Sequence, residues 1–179
     1  KRIINGDRVN ELRYPYFALM HESSLCGAVA IGPRLVLGVA HCAKSSTDFR
    51  IGAYDSVTGG ITSAKIINKI RHPDFTEGGY SNDIILFHLD SDIADLSSYI
   101  KLERDKVTDN NTNNNRFTVL GFGDIDPDPW SMTLSKGLRE VELEYVDNES
   151  CDNAFGNRYA ITPGMLCAGG GDEGRDACV

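Results

Sequence analysis

The stretch CGAVAIGPRLVLGVAHC, which runs from Cys26 to Cys42, decides how the first half of this chain is expected to fold. Two short apolar runs flank Gly-Pro-Arg at positions 32–34, residues that are typical of a turn. The runs therefore predict a β-hairpin, whose ends meet and bring Cys26 and Cys42 within bridging reach. Closing a loop of about 15 residues stabilises a fold by about 3 kcal/mol in the chain-entropy model. A bridge here would also fix the backbone beside His41.

The rest of the chain repeats this pattern of short apolar runs bounded by Gly, Pro, Asn and Asp. Many short strands separated by turns indicate an all-β sandwich or barrel. A short helix is predicted at 149–155, with Asp147 or Asn148 as its N-cap and Gly156 as its end. The runs that we predict as strands are 17–20, 28–31, 35–39, 49–51, 64–70, 84–89, 117–120, 138–146 and 165–168.

Length and composition restrict the classes of protein that need to be considered. The chain has 179 residues, which allows one large domain or two small ones, and its 41% hydrophobic and 25% charged residues exclude wholesale disorder. The net charge of −8 argues against nucleic acid or an anionic membrane as a partner. The apolar runs are far shorter than the roughly 18–20 residues of a membrane helix. No targeting segment opens the sequence, so we expect any signal peptide to have been removed or to lie outside it.

The cysteines favour a disulfide-forming compartment over a metal site. They contain no CxxC pair and no histidine at zinc-finger spacing, so no metal is expected. With an odd number, one cysteine is left over after two pairs form. We favour Cys178 as a half-bridge whose partner lies outside the sequence, over a reactive thiol or an intermolecular link. The five cysteines are Cys26, Cys42, Cys151, Cys167 and Cys178.

Two polar residues beside apolar runs are candidates for chemistry. A neutral imidazole at His41 can accept a proton, although a lone histidine here could also simply fill space at a strand end. Asp83 precedes an apolar run, where a carboxylate can accept a hydrogen bond from an imidazole and hold its tautomer. Each signal is weak alone, since aspartates near turns are common. Trp130 lies in an acidic loop, for which we favour packing within the loop over a surface contact.

One polar segment and two asparagine motifs are expected at the surface. Residues 105–116 read DKVTDNNTNNNR, which predicts a solvated connector between two halves of the fold. Asn110, in Asn-Asn-Thr, and Asn148, in Asn-Glu-Ser, match the acceptor pattern for N-glycosylation. Such triplets also arise by chance, so both asparagines are candidates only.

Together, and in this order, the motifs resemble the chymotrypsin/trypsin family of serine endopeptidases nearly from end to end. Val-Ala-His-Cys at 39–42 is similar to the family's Ala-Ala-His-Cys, and Asn-Asp-Ile at 82–84 matches its Asn-Asp-Ile. Arg-Ile-Ile-Asn-Gly at 2–6 looks like its activation site. Gly-Phe-Gly at 121–123 resembles Gly-Trp-Gly, with phenylalanine in place of tryptophan.

The resemblance implies roles for individual residues. His41 takes the role of general base, and Asp83 the role of the residue that orients it. Asp176 stands two residues before Cys178, where trypsin-like members carry the acidic residue at the base of the primary specificity pocket. Without the resemblance, Asp176 would be interpreted as a solvated loop carboxylate.

Two covalent features also follow from the resemblance. Cys26 with Cys42, and Cys151 with Cys167, correspond to two family disulfides, the second around the short helix. The bond between Arg2 and Ile3 corresponds to the site where the zymogen is cleaved.

The resemblance implies an all-β, chymotrypsin-like double β-barrel, with the first barrel complete and the second truncated. Residues 1–2 would be a remnant of the activation peptide and residues 3–104 the first barrel. Residues 105–116 would form the connector, and residues 117–179 a partial second barrel with open edges.

Besides the phenylalanine at 122, the sequence departs from the family pattern in three places. Gly38 and Val39 replace a small Thr/Ser-Ala pair, which indicates altered packing behind the histidine. The loop at 54–60 lacks the glutamates that bind calcium in trypsin, so no calcium site is expected. The sequence also stops at Val179, where the family's Gly-Asp-Ser-Gly-Gly segment with the nucleophilic serine would begin.

The favoured hypothesis is a secreted, trypsin-like serine endopeptidase whose intact form cleaves peptide bonds after arginine or lysine. The 179 residues alone lack the serine and should be inactive. Expected partners are peptide or protein substrates with Arg or Lys at the cleaved bond, and protein inhibitors of proteases. No cofactor, nucleic acid or membrane is expected, and the protein should be a monomer. The alternative is a catalytically silent, protease-like binding protein that holds a partner on its barrel surface.

Overall fold

Short strands are the main regular elements of the structure, as the apolar runs predicted. The computed structural model describes residues 3–21, 25–44, 46–93, 99–104, 116–126, 128, 130–156 and 160–169. In chain order the elements are β1 (Asp7–Arg8), β2 (Phe17–His21), β3 (Leu25–Gly32), β4 (Leu35–Gly38), a 3₁₀ helix (Ala40–Ala43), β5 (Asp48–Ile51), β6 (Thr62–Arg71), β7 (Ile85–Leu89), β8 (Arg116–Gly121), β9 (Arg139–Val146), α1 (Asn148–Phe155) and β10 (Cys167–Gly169).

Six strands close into a barrel in the order β2-β3-β4-β7-β6-β5. All neighbouring pairs are antiparallel. Side chains alternate between the two faces of each strand: on β7, Ile85, Phe87 and Leu89 are buried while the residues between them are partly exposed. Phe87 packs edge-on against Phe49, with their ring centroids 5.0 Å apart. Because a closed barrel has no free edge, the strands hold one another in a fixed register.

A separate four-stranded sheet contains β1, β8, β9 and β10. Strand β9 pairs antiparallel with β8 along its first part and with β10 at its end. Val141 and Leu143 are buried, and the glutamates that follow each of them are exposed. Ile3 packs against the same buried face. Strand β9 therefore has one buried face and one face exposed to solvent, and the described part of this sheet is not closed.

The single α-helix among the described residues has the predicted ends. Asp147, rather than Asn148, is the N-cap, and its side chain accepts a hydrogen bond from the backbone N–H of Ser150 at 2.8 Å. Gly156 ends the helix in the left-handed conformation, at φ 57°. Helix α1 is eight residues long. No helix in the described part of the chain combines the length and apolarity needed to cross a membrane.

The chain divides into two compact units at boundaries that differ from the predicted ones. The barrel unit comprises Arg8–Leu102 and Ser135–Leu138. The other unit comprises the described parts of Lys1–Asp7, Glu103–Leu134 and Arg139–Val179.

The start of the chain therefore belongs to the second unit, although residues 3–104 were predicted to form the first barrel. The backbone N–H of Ile3 donates a hydrogen bond to the Asp124 carbonyl at 2.8 Å. Arg139 donates from Nη1 to the Gly6 carbonyl at 2.6 Å. These long-range contacts assign residues 3–7 to the second unit. Arg116, the last residue of the predicted connector 105–116, already begins β8, and residues 105–115 lie outside the described residues.

The prediction that Trp130 packs within its loop was wrong. Its side chain is 94% exposed. The loop is instead ordered by hydrogen bonds between aspartate side chains and backbone N–H groups, among them Trp130 N–H to Asp128 Oδ1 at 2.9 Å.

Candidate active site

The 3₁₀ helix that follows β4 carries His41. Ala40 and Ala43 of this helix are buried in the barrel core, so the imidazole between them faces outward, with 46% of its side chain exposed. A disulfide joins Cys42 to Cys26 of β3. The backbone beside His41 is therefore tied covalently to a neighbouring strand of the barrel.

Two side chains satisfy the carbonyl groups at the end of this helix. Ser46 Oγ donates a hydrogen bond to the Cys42 carbonyl at 2.9 Å, and Lys69 Nζ on β6 donates to the Ala43 carbonyl at 2.7 Å. Carbonyl groups at a helix end have no partner within the helix, so these contacts fix its last turn. Sequence reasoning missed both residues, because neither stands in a motif.

Gly38, which replaces a small Thr or Ser of the family pattern, lies where the barrel core leaves little room for a side chain. A Cβ added there would lie 3.2 Å from the Phe87 ring and 3.3 Å from Ala28 Cβ, closer than ordinary packing allows. The buried ring of Phe87 fills the space that a larger residue at position 38 would need.

A strained turn before β7 positions Asp83. Asn82 has φ 57°, in the left-handed region that asparagine tolerates better than most residues. The Ile84 N–H donates to the Asn82 carbonyl at 2.8 Å, which closes a tight turn around Asp83. Sequence reasoning noted the motif at this position but did not predict the backbone conformation.

The register of two strands brings His41 and Asp83 together. Gly38 at the end of β4 pairs with Ile85 at the start of β7. Because the strands are antiparallel, the residues just after β4 and just before β7 lie at the same end of the barrel. His41 and Asp83 therefore meet, although 42 positions separate them in the sequence.

Asp83 holds His41 through both carboxylate oxygens. Oδ2 lies 2.6 Å from His41 Nδ1, and Oδ1 accepts a hydrogen bond from the His41 backbone N–H at 2.9 Å. An ionised carboxylate only accepts hydrogen bonds, so this contact favours the neutral tautomer that has its proton on Nδ1 and its lone pair on Nε2. The side chain of Asp83 is 21% exposed, against 46% for the histidine. This arrangement can orient an imidazole so that Nε2 takes a proton from a neighbouring group.

His41 also lies close to the two cysteines of the disulfide, but these three residues do not fit a metal ion. Ligand atoms of Cys26, His41 and Cys42 lie within 4.8 Å of one another, the one such grouping among the described residues. Both sulfur atoms are bonded to each other, and a disulfide offers no thiolate to a metal. Of these three residues, only His41 therefore offers a ligand atom to a metal.

In the loop at 54–60, Asp55 stabilises a turn. Its Oδ1 accepts hydrogen bonds from the backbone N–H groups of Val57 at 2.8 Å and Thr58 at 3.0 Å. The bonds from Thr58 and then Val57 hold the pKa of Asp55 below its usual value. This is the ordinary role of a turn aspartate.

The structure describes some of the other predicted site residues, whereas the rest lie outside the described part of the chain. Ile3 is 4% exposed and packs in the second unit. The second predicted disulfide, Cys151–Cys167, is formed and joins α1 to β10. Asn148 Nδ2 donates to the Thr162 and Met165 carbonyls at 3.0 and 3.3 Å, and a glycan on that nitrogen would replace one of the two donating hydrogens. Arg2, Asn110, Asp176 and Cys178 lie outside the described residues.

A closed antiparallel barrel that presents a carboxylate-oriented histidine at one end defines the class of chymotrypsin-like proteins. The family model described as Trypsin matches residues 3–179. The chain therefore belongs to the trypsin family, which confirms the resemblance inferred from the motifs.

Individual relatives agree with this assignment. Tonin of the rat is 27% identical over 99% of this chain and 71% of its own length, and granzyme B(G,H) of the mouse is 30% identical over 93% of this chain and 69% of its own. The solved structure of neuropsin, a serine protease expressed in the limbic system of mouse brain, superposes with a TM-score of 0.82. It covers 95% of this chain and 76% of neuropsin at 24% identity, and so supports the fold.

Proposed function

We propose that the intact protein is a secreted serine endopeptidase that hydrolyses peptide bonds after arginine or lysine. The observation that carries this proposal is the hydrogen bond between His41 Nδ1 and Asp83 Oδ2, which leaves Nε2 as a proton acceptor. Its partners are peptide and protein substrates and protein inhibitors, and it acts as a monomer without a cofactor.

In the proposed mechanism, Nε2 of His41 removes the proton of a serine hydroxyl while the serine oxygen attacks the peptide carbonyl. Asp83 stabilises the imidazolium ion that forms. His41 then gives this proton to the leaving amine, the C–N bond breaks, and an acyl-enzyme remains. Water, deprotonated by His41 in the same way, then attacks the acyl carbon, the bond to the serine oxygen breaks, and His41 returns the proton to that oxygen.

The serine itself is not among these 179 residues at the position that the family pattern requires. The sequence contains no Gly-Asp-Ser-Gly-Gly segment. We therefore propose that this chain alone is inactive, and that the intact protein carries the segment after Val179.

Specificity is proposed to depend on Asp176. A carboxylate in a partly desolvated pocket attracts a cationic side chain more strongly than it would in water, because the screening is weaker. This selects arginine or lysine at the cleaved bond.

Activation is proposed to follow cleavage between Arg2 and Ile3. The new α-amino group of Ile3 would be mostly charged at neutral pH and could form a buried ion pair. The contacts that Ile3 already makes in the second unit support a role for this segment in docking.

The transcript and a serine-directed covalent probe together test the proposal. We expect codons for a Gly-Asp-Ser-Gly-Gly segment after Val179, and labelling of a native protein larger than 19.6 kDa. A stop codon directly after Val179 would end the proposal. A folded, unlabelled 19.6 kDa protein found with a bound partner would instead support the silent binding protein.

A further inference from the structure

Residues 124–134 form an acidic loop that is closed at its base. Asp124 and Leu134 form an antiparallel bridge, and the Ile125 N–H donates to the Thr133 carbonyl at 2.9 Å. The buried side chain of Asp124 also accepts a hydrogen bond from the Thr133 N–H at 2.7 Å. The described part of this loop is thus held as a defined structure.

A series of hydrogen bonds from backbone N–H groups to aspartate side chains extends from Asp124 to Trp130. Asp126 N–H donates to Asp124 Oδ1, and Asp128 N–H donates to Asp126 Oδ1, both at 3.0 Å. Trp130 N–H donates to Asp128 Oδ1 at 2.9 Å. Each aspartate accepts from the residue two positions later, an arrangement that fixes the backbone locally without burying the apolar side chains.

The loop exposes large apolar side chains at alternate positions. Trp130 is 94% exposed, Met132 74% and Leu134 46%. We call these three residues the Trp130 patch. Aromatic residues and methionine are enriched at protein interfaces, and an ordered aromatic side chain loses little entropy on binding. The patch therefore has the composition of a contact surface.

Charge indicates the kind of partner. Residues 124–134 contain three aspartates and no basic residue, within a chain of net charge −8. A guanidinium group can stack on the face of a tryptophan and pair with a neighbouring carboxylate at the same time. Trp130 exposes its indole, and its backbone N–H donates to the Asp128 carboxylate, so the residues that carry these two groups are neighbours in the loop.

We propose that the Trp130 patch binds a basic segment of a partner protein, with an arginine stacked on Trp130 and paired with Asp128. Apolar side chains beside that arginine pack on Met132 and Leu134. This inference does not rest on the proposed catalysis, because it uses neither His41 nor a serine.

Intrinsic fluorescence of the 179-residue chain tests the proposal directly, because Trp130 is its single tryptophan. The probes are a short peptide of alternating arginine and leucine and the same peptide with citrulline for arginine, which keeps the shape and removes the charge. We expect the arginine peptide to change the emission in a saturable way. The citrulline peptide should bind about two- to fivefold more weakly, as expected when an exposed cation–π contact is lost.

Variants, followed by anisotropy of a labelled arginine peptide, locate the contact. Trp130→Ala should weaken binding about fivefold and Asp128→Asn about twofold at low salt, the latter effect fading as salt rises. Phe155→Ala, which removes an exposed aromatic side chain elsewhere in the same unit, is the matched control and should change nothing.

Three results would overturn the proposal. They are unchanged affinity in Trp130→Ala, equal binding of the two peptides, and no binding of either. A concentration-dependent emission change without peptide that disappears in Met132→Asp would also overturn it, because the occupant would then be a second copy of the chain.

Discussion

Asn82 shows how one backbone conformation prepares the candidate active site. Its φ of 57° turns the chain so that Asp83 faces His41 with both carboxylate oxygens. The left-handed conformation costs most residues about 1 kcal/mol, whereas asparagine and glycine adopt it more readily. The free energy of unfolding therefore depends on which residue occupies this left-handed position.

We predict that Asn82→Ala lowers the free energy of unfolding by about 1 kcal/mol, because alanine tolerates the left-handed region poorly. Asn82→Gly is the matched control and should be less destabilising, since glycine has no Cβ to clash. Urea denaturation of both variants measures the difference. An alanine variant at least as stable as the glycine variant would contradict this view of the turn.

At the scale of elements, helix α1 depends on its cap. Hydrogen bonds from the Ser150 hydroxyl and backbone N–H lower the pKa of Asp147. Because the pKa is lower in the folded state, the ionised carboxylate stabilises the fold above the ordinary aspartate pKa. That contribution is lost as the pH falls through the lowered value.

We therefore predict that Asp147→Ala reduces the free energy of unfolding more at about pH 7 than at about pH 2. Asp147→Asn keeps a capping side chain without a titrating group, so it should lose less than the alanine variant near neutral pH. Urea titrations at the two pH values provide the measurement. A loss that is the same at both pH values in the alanine variant would show that the ionised cap contributes nothing.

The barrel depends on close packing between its strands. Phe87 of β7 is fully buried, contacts Phe49 edge-on and fills the space beside Gly38. Removing such a ring loses transfer free energy and leaves a cavity. The same cavity would lie next to the strand that leads to His41.

We predict that Phe87→Ala destabilises the protein by about 3–5 kcal/mol in urea denaturation. Phe155→Ala on the exposed side of α1 should cost less than about 0.5 kcal/mol. Similar losses in the two variants would mean that the barrel core is not packed as described.

At the scale of the whole molecule, the sequence predicted the elements better than their assembly. Each apolar run overlaps a strand because period-two burial is a local signal, as β9 illustrates. Strand β1 was missed because Asp7 and Arg8 are both exposed and carry no pattern. The place of Ile3 in the second unit was missed because it depends on a hydrogen bond to Asp124, far along the chain.

The meeting of His41 and Asp83 was predicted, but the backbone features that bring them together were not. The motifs around His41 and Asp83 indicated both side chains through the family resemblance. Their contact depends on the register that pairs Gly38 with Ile85, and on the left-handed turn at Asn82. Neither can be read from local patterns, and Lys69, which fixes the histidine-bearing helix, stands outside every motif.

We propose that Asp83 orients His41 as the proton acceptor of a serine endopeptidase. The most direct test is kcat on an arginine amide substrate, for the activated protein translated from the complete transcript and for its Asp83→Asn variant. Asparagine preserves the shape but favours the wrong imidazole tautomer, so we predict a fall of about 10⁴-fold near neutral pH. Asp74→Asn, an exposed aspartate shortly before this turn, is the control and should keep full activity. A kcat for Asp83→Asn within about tenfold of the unaltered protein would contradict the claim.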